Sequence, residues 1–152
     1  MVKHRRNGYK NHINIDVQHK LIRKFVVTPA STADVSCFED LLDKKNKDKE
    51  VWADSAYRSE KTEQMLSNKG YKNRLHYKVK QGHYLPENYR RINYGRSVIR
   101  VRVEHAFGFM QNSMHRKFIR TIGMLRAKMK IGLMNFTYNI CRYTQLIEPL
   151  RV

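Results

Sequence analysis

The chain opens on a clean alternation of apolar and polar positions. Between Tyr9 and Val17, the side chains of Ile13, Ile15 and Val17 fall on one face, and Asn14 and Asp16, continued by Gln18, fall on the other. A period of two predicts a strand. Leu21 to Thr28, rich in β-branched and aromatic residues, predicts a second. Only Gln18, His19 and Lys20 separate them, so an antiparallel hairpin is the natural connection, and Pro29 stops its second strand because proline cannot donate to a ladder. The period then changes. Ser31 and Asp34 resemble a capping box with Asp in place of Glu, and Val35, Phe38, Leu41 and Leu42 follow at helical spacing, predicting a helix of about three turns.

Lys44 to Glu50 has no apolar residue and reads as a solvated connector. Val51 to Asp54 is a short apolar strand ending in an acid. Ser59 is placed to cap a helix that runs through Met65 and Leu66 and ends at Lys69-Gly70. Tyr71 to Val79 predicts another strand and Lys80 to Tyr84 a loop. Pro86 then suits the first turn of a long helix from Glu87 to about Met114. A final helix from Thr121 to Ile147 carries Leu125, Met129, Leu133, Phe136, Ile140 and Tyr143 as its apolar stripe, with Gly123 and Gly132 weakening its continuity. Phe107, Phe109, Phe136 and Tyr138 are read as core. The order is a mixed α/β pattern, expected to be one domain over residues 1–152.

Charge changes the picture most. Against 13 acidic residues stand 31 lysines and arginines, a formal net charge of +18, which points to a polyanionic partner, and nucleic acid leads. No apolar run approaches the roughly 20 residues a membrane span needs. The basic start lacks the apolar segment of an export signal, so a cytoplasmic location is expected. Cys37 and Cys141 have neither CxxC nor zinc spacing and read as reduced thiols. His76, His83 and His105 have no metal-ligand spacing either and are expected to be surface or interfacial residues.

The candidate chemistry gathers around Glu104. On a helix, Arg100 lies four residues before it on the same face, and Gln111 follows two turns later on roughly the same side. Asp54, leaving the end of a strand, could meet Glu104 over one divalent cation, an arrangement suited to phosphoryl transfer on nucleic acid. Lys72, Arg74, Lys78 and Lys80 occupy even positions with Tyr71 and Tyr77 opposite, so a strand would align them either as a phosphate-binding strip or as a solvated face. Arg90, Arg91, Arg96, Arg100 and Arg102 point in too many helical directions to form one patch, and the same holds for Lys117, Arg120, Arg126, Lys128 and Lys130.

With GYKNH at Gly8 to His12, VVTPAS, WADSAY around Asp54, GYKNRLH, RVRVEHAFG around Glu104 and RTIGMLRAKMKIGLMNFTYNI in this order, the chain resembles bacterial insertion-sequence transposases of the DDE type. The resemblance implies a ribonuclease H-like fold, a mixed sheet with flanking helices, in which Mg²⁺ (or Mn²⁺) is held by three carboxylates and a water or DNA 3′-hydroxyl attacks a phosphodiester. It makes Asp54 the second acid and Glu104 the third, both catalytic and metal-binding. The family's first acid lies on an opening central strand upstream of GYKNH. Here Met1 stands only seven residues before Gly8, and Asp16, the only Asp before Asp34, belongs to the predicted hairpin. A domain truncated at its N-terminus is therefore expected, lacking that strand, inactive alone, and partnered by full-length transposase or an N-terminal fragment. In the family's signature around the third acid, Ser97 takes the tyrosine position and Gln111 the lysine position. Arg100, Gln111, Lys72, Arg74, Lys78 and Lys117 are the candidate contacts to transposon ends and target DNA, in the bacterial cytoplasm at the nucleoid. The alternatives are a basic DNA-binding protein without catalysis and a remnant of an insertion element with no function.

Overall fold

The alternating N-terminal stretch folds as the hairpin the pattern predicts. β1 (Tyr9–Ile15) pairs antiparallel with β2 (Ile22–Pro29), from Tyr9 opposite Pro29 to Ile15 opposite Ile22. Asp16 makes the turn. One carboxylate oxygen accepts the Gln18 N–H at 2.7 Å, the other meets His19 Nδ1 at 2.7 Å, and Lys20 takes a positive φ of 62°. The structure, a computed structural model, describes residues 8–79, 82–114 and 121–148. It divides into two compact units, one of Met1–Leu42 with Val103–Val152 and the other of Asp43–Arg102.

In the first unit the hairpin is covered by α4 (Met124–Ile147). The contact is made by side-chain amides as much as by apolar surface. Asn139 Oδ1 accepts the Ile22 N–H at 2.8 Å while its Nδ2 donates to the Ile22 carbonyl at 2.9 Å. Asn135 exchanges two such bonds with Asn11, at 2.8 and 3.2 Å, and the Tyr138 hydroxyl donates to the Lys20 carbonyl at 2.8 Å. Ile22, Ala106, Met110 and Tyr138 form the buried cluster beside these bonds, with Ile13, Ile15, Phe107 and Phe109 against it. Gly132 sits where a Cβ would come within 3.3 Å of the Phe25 ring, so helix and sheet approach closely there and the helix runs on without a break.

That packing reverses the expected face of α4. Ala127, Ile131, Asn135 and Tyr138 are buried, whereas Leu125, Met129, Leu133, Phe136, Ile140 and Tyr143 are all exposed. Asn139, on the backbone of β2, and Asn135, on the side chain of Asn11, direct the docking, and a reading based on large apolar residues alone passes over them. The helix expected after Ser31 is likewise shorter. A 3-10 turn at Asp34–Cys37 leads into a single turn, α1 (Phe38–Leu41), and Asp34 does no capping because Lys10 Nζ holds its carboxylate at 2.8 Å.

In the second unit β3 (Glu50–Val51) and β4 (Lys72–Asn73) pair in parallel. Both are shorter than the predicted strands, but ladder hydrogen bonds outrun them. Lys72 N–H donates to the Lys49 carbonyl at 2.7 Å, Arg74 N–H to Val51 at 3.0 Å and His76 N–H to Ala53 at 3.1 Å. Beyond this, side chains replace the ladder. Asn93, on α3 (Glu87–Asn112), accepts the Tyr77 N–H at 2.8 Å and donates to its carbonyl at 3.1 Å. Between the strands, α2 (Glu60–Asn68) begins as predicted at Ser59, whose Oγ accepts the Thr62 N–H at 3.1 Å. It ends at Gly70, where φ of +69° is a conformation that suits glycine. Thr62, Leu66 and Leu75 are buried. The class is α/β, with the described strands in two two-stranded sheets, one antiparallel and one parallel.

Two outcomes follow from the first unit. Asn139→Ala strands both backbone groups of Ile22 and should cost about 1–3 kcal/mol, read as a lowered urea midpoint. Burial pushes the His12 pKa below its ordinary 6.5, and its Nε2 meets Thr28 Oγ1 at 2.8 Å. The unfolded chain then binds the extra proton first, so this contribution is complete above about pH 6.5 and is lost as pH falls below it. Melting temperature should drop on acidification more steeply in the wild type than in His12→Gln.

Candidate functional site

Side chains alternate along a strand, and each step of the parallel ladder advances both strands by two residues. Glu50, Trp52 and Asp54 therefore leave one face together with Lys72, Arg74 and His76. Two contacts bear this out. Arg74 Nη2 lies 2.9 Å from Glu50 Oε1, and its guanidinium sits 5.9 Å from the centre of the Trp52 ring. Leu75, on the opposite face, is fully buried. Asp54 and His76 end this row side by side.

Asp54 keeps extended backbone and opens a 3-10 turn, Ser55–Tyr57, by accepting the Ser55 N–H at 2.6 Å through Oδ1. Its Oδ2 faces Arg100 Nη1 at 3.3 Å, and the side chain is 47% exposed. The carboxylate is thus pinned by a main-chain donor, opposed by one guanidinium and still open to a ligand.

His76, expected to be a surface or interfacial residue, is half-buried, and its Nε2 is sealed from solvent with no hydrogen-bond partner. Burial lowers its pKa below 6.5; Asp54 pulls it back up, the Arg100 and Arg96 guanidinium groups oppose that, and a hydrogen bond from the ring to the Arg96 backbone favours the protonated form. Leaving such a buried acceptor unmatched costs about 1–3 kcal/mol. Spacing along the sequence gave no sign of this residue's position, which depends on the pairing of two strands.

Several of the basic side chains hold the fold together. Arg58 and Arg96 lie over the Tyr77 ring, 4.1 and 4.8 Å from its centre, and Tyr89 stacks on it at 4.3 Å. Both arginines also donate to the Leu75 carbonyl. Arg74, a candidate DNA contact, is engaged by Glu50 and Trp52, whereas Lys72 and Lys78 are exposed. Glu104 and Gln111 are exposed on the part of α3 that belongs to the first unit. Lys117, Lys80 and Arg120 lie outside the described residues.

The segment expected to be a solvated connector has a definite shape. Its Lys44, Asn46 and Lys49 join Lys69 and Tyr71 around an open cavity of about 420 Å³. Three ammonium groups at one depression offer point charges to phosphate.

Among the described residues, no three His, Cys, Asp or Glu side chains stand together as a metal cluster. A half-exposed carboxylate oxygen and an unclaimed imidazole nitrogen on one sheet face are nevertheless donors that fit a divalent ion. No helix among the described residues is long and apolar enough to cross a membrane. Cys37 and Cys141 are free thiols.

A strongly basic α/β chain with an exposed acid at the end of a parallel ladder fits a polyanionic partner. Comparison makes this specific: the family model for the transposase DDE domain matches residues 2–140, and the chain belongs to that family. Its members have a ribonuclease H-like fold, carry out DNA transposition and generally use a divalent metal. No curated protein and no solved structure matched the chain.

Tyr77→Leu removes two cation–π contacts and a ring pair, so it should destabilise the protein by roughly 1.5–3 kcal/mol. Lys78→Ala, at an exposed position, should stay within about 0.5 kcal/mol in the same urea titration.

Proposed function

We propose that this chain supplies the second and third acids, Asp54 and Glu104, of a Mg²⁺-dependent transposase centre, and that its cationic surface holds transposon ends and target DNA. The observation that carries the reading is the Asp54 carboxylate, fixed at the end of a parallel strand, half-exposed and opposed by Arg100. When bound, a divalent ion (Mg²⁺ or Mn²⁺) polarises the scissile phosphodiester and lowers the pKa of the attacking hydroxyl. Asp54 and Glu104 are its ligands in this chain. Arg100 orients Asp54 and offsets its charge against the DNA backbone. Lys44, Lys49 and Lys69, together with exposed Lys72, Lys78 and Gln111, hold phosphates, which confers affinity and salt dependence rather than sequence choice. Lys117 is assigned to the same surface on its sequence position.

The family's centre takes a third carboxylate, and two partners able to supply one are full-length transposase and an N-terminal fragment, which enters the test. The competing reading, a basic DNA-binding protein with no part in catalysis, is separated by one experiment. The chain is incubated with a duplex carrying the element's end and Mg²⁺ or Mn²⁺, with and without the N-terminal fragment. Cleavage in either reaction, abolished by Asp54→Asn and by Glu104→Gln, is the expected result. Salt-sensitive binding with no cleavage in either reaction overturns the catalytic reading. In the binding arm, replacing Lys44, Lys49 and Lys69 together should lower the salt slope by about 0.9 for each phosphate that is no longer neutralised.

A further inference from the structure

We infer that His76 Nε2 is a ligand to the same divalent ion as Asp54, so that this centre pairs an imidazole nitrogen with its carboxylates. The inference rests on the reading of Asp54 as a metal ligand and adds a residue to it.

Three observations converge on Nε2. The first is position. The His76 N–H donates to the Ala53 carbonyl, next to Asp54, and the ladder sends both side chains from one sheet face, with strands about 4.8 Å apart. The second is the tautomer. The ring bonds the Arg96 backbone in a way that favours the protonated form, as a carbonyl acceptor does, and Nε2 has no partner, so the bond belongs to Nδ1–H. Nε2 then presents a bare lone pair. An imidazole whose far nitrogen donates to a backbone carbonyl is the usual arrangement of a metal-bound histidine, because that bond fixes the ring and raises its basicity.

The third is the unmet bonding capacity at Nε2. It is closed to solvent, so water does not serve as its donor, and none of the described side chains does. On Asp54 next to it, Oδ1 is committed to the Ser55 N–H, while Oδ2 has a long 3.3 Å contact with Arg100. One cation between Oδ2 and Nε2 satisfies both. A neutral imidazole favours borderline first-row ions, so Mn²⁺ should bind more tightly than Mg²⁺, and His76 should account for part of the difference.

Pulsed EPR of Mn²⁺ bound to the untagged full chain tests this without reference to activity. The wild type should show nitrogen modulation of the Mn²⁺ signal that changes when histidine is labelled with ¹⁵N, a measurement that needs no variant to fold. His76→Ala and His76→Gln, with circular dichroism confirming their folding, should lose the modulation and weaken Mn²⁺ binding by at least about tenfold. Asp54→Asn should also weaken binding. Mn²⁺ binding that depends on Asp54 but shows no histidine nitrogen overturns the His76 assignment and leaves the carboxylate reading standing. Binding indifferent to Asp54, or no binding at all, overturns both. Nitrogen modulation that persists in both His76 variants assigns the ligand to another histidine and likewise overturns the proposal.

Discussion

Every backbone N–H and C=O at a strand edge must find a partner, and in a chain whose described sheets have two strands each, that demand governs what can pack where. The same solution occurs in both units. Asn139 on α4 bonds the N–H and C=O of Ile22, and Asn93 on α3 bonds the N–H and C=O of Tyr77. A side-chain amide carries a donor and an acceptor in the geometry of a peptide group, so each asparagine stands in for one residue of a neighbouring strand. Each satisfied group is worth about 1–3 kcal/mol against being left buried and bare, when total stability is about 5–15 kcal/mol. Helix docking here is therefore specified by polar groups, with apolar burial filling in beside them.

The same pairing organises the site. The parallel ladder that outruns β3 and β4 brings Asp54 and His76 into one row, and the Leu75 carbonyl beside it anchors Arg58 and Arg96 against Tyr77. Arg58, Arg74 and Arg96 are thus committed to holding the second unit together. Lys44, Lys49 and Lys69, by contrast, line an open cavity. The division has a chemical logic. Guanidinium groups stack on rings and fork onto carbonyls, whereas ammonium groups stay hydrated at the surface and act as point charges.

Local signals in the sequence are legible. The hairpin, the Ser59 cap, the Gly70 stop and the long helices follow from alternation, capping and glycine chemistry, which act within a few residues. The motifs around Asp54 and Glu104 point to the family, and the family-model match over residues 2–140 agrees. What is not legible depends on distant partners. The orientation of α4 turns on Asn135 and Asn139 meeting residues more than a hundred positions away, and Asp34 is taken from its expected cap by Lys10. His76 becomes notable only once a parallel pairing sets it beside Asp54, and Lys44 to Lys49 gain shape only through Lys69 and Tyr71.

The outward side of α4 has a practical consequence. Leu125, Met129, Leu133, Phe136, Ile140 and Tyr143 form a greasy rail along a fully folded helix, with exposed Ile122 just before it. Dyes such as ANS, which brighten on apolar surface and are commonly taken to report loosened proteins, have a place to bind on the native molecule. Fluorescence from such a dye is a poor gauge of this protein's unfolding, and detergent or glass surfaces will deplete it from dilute solution.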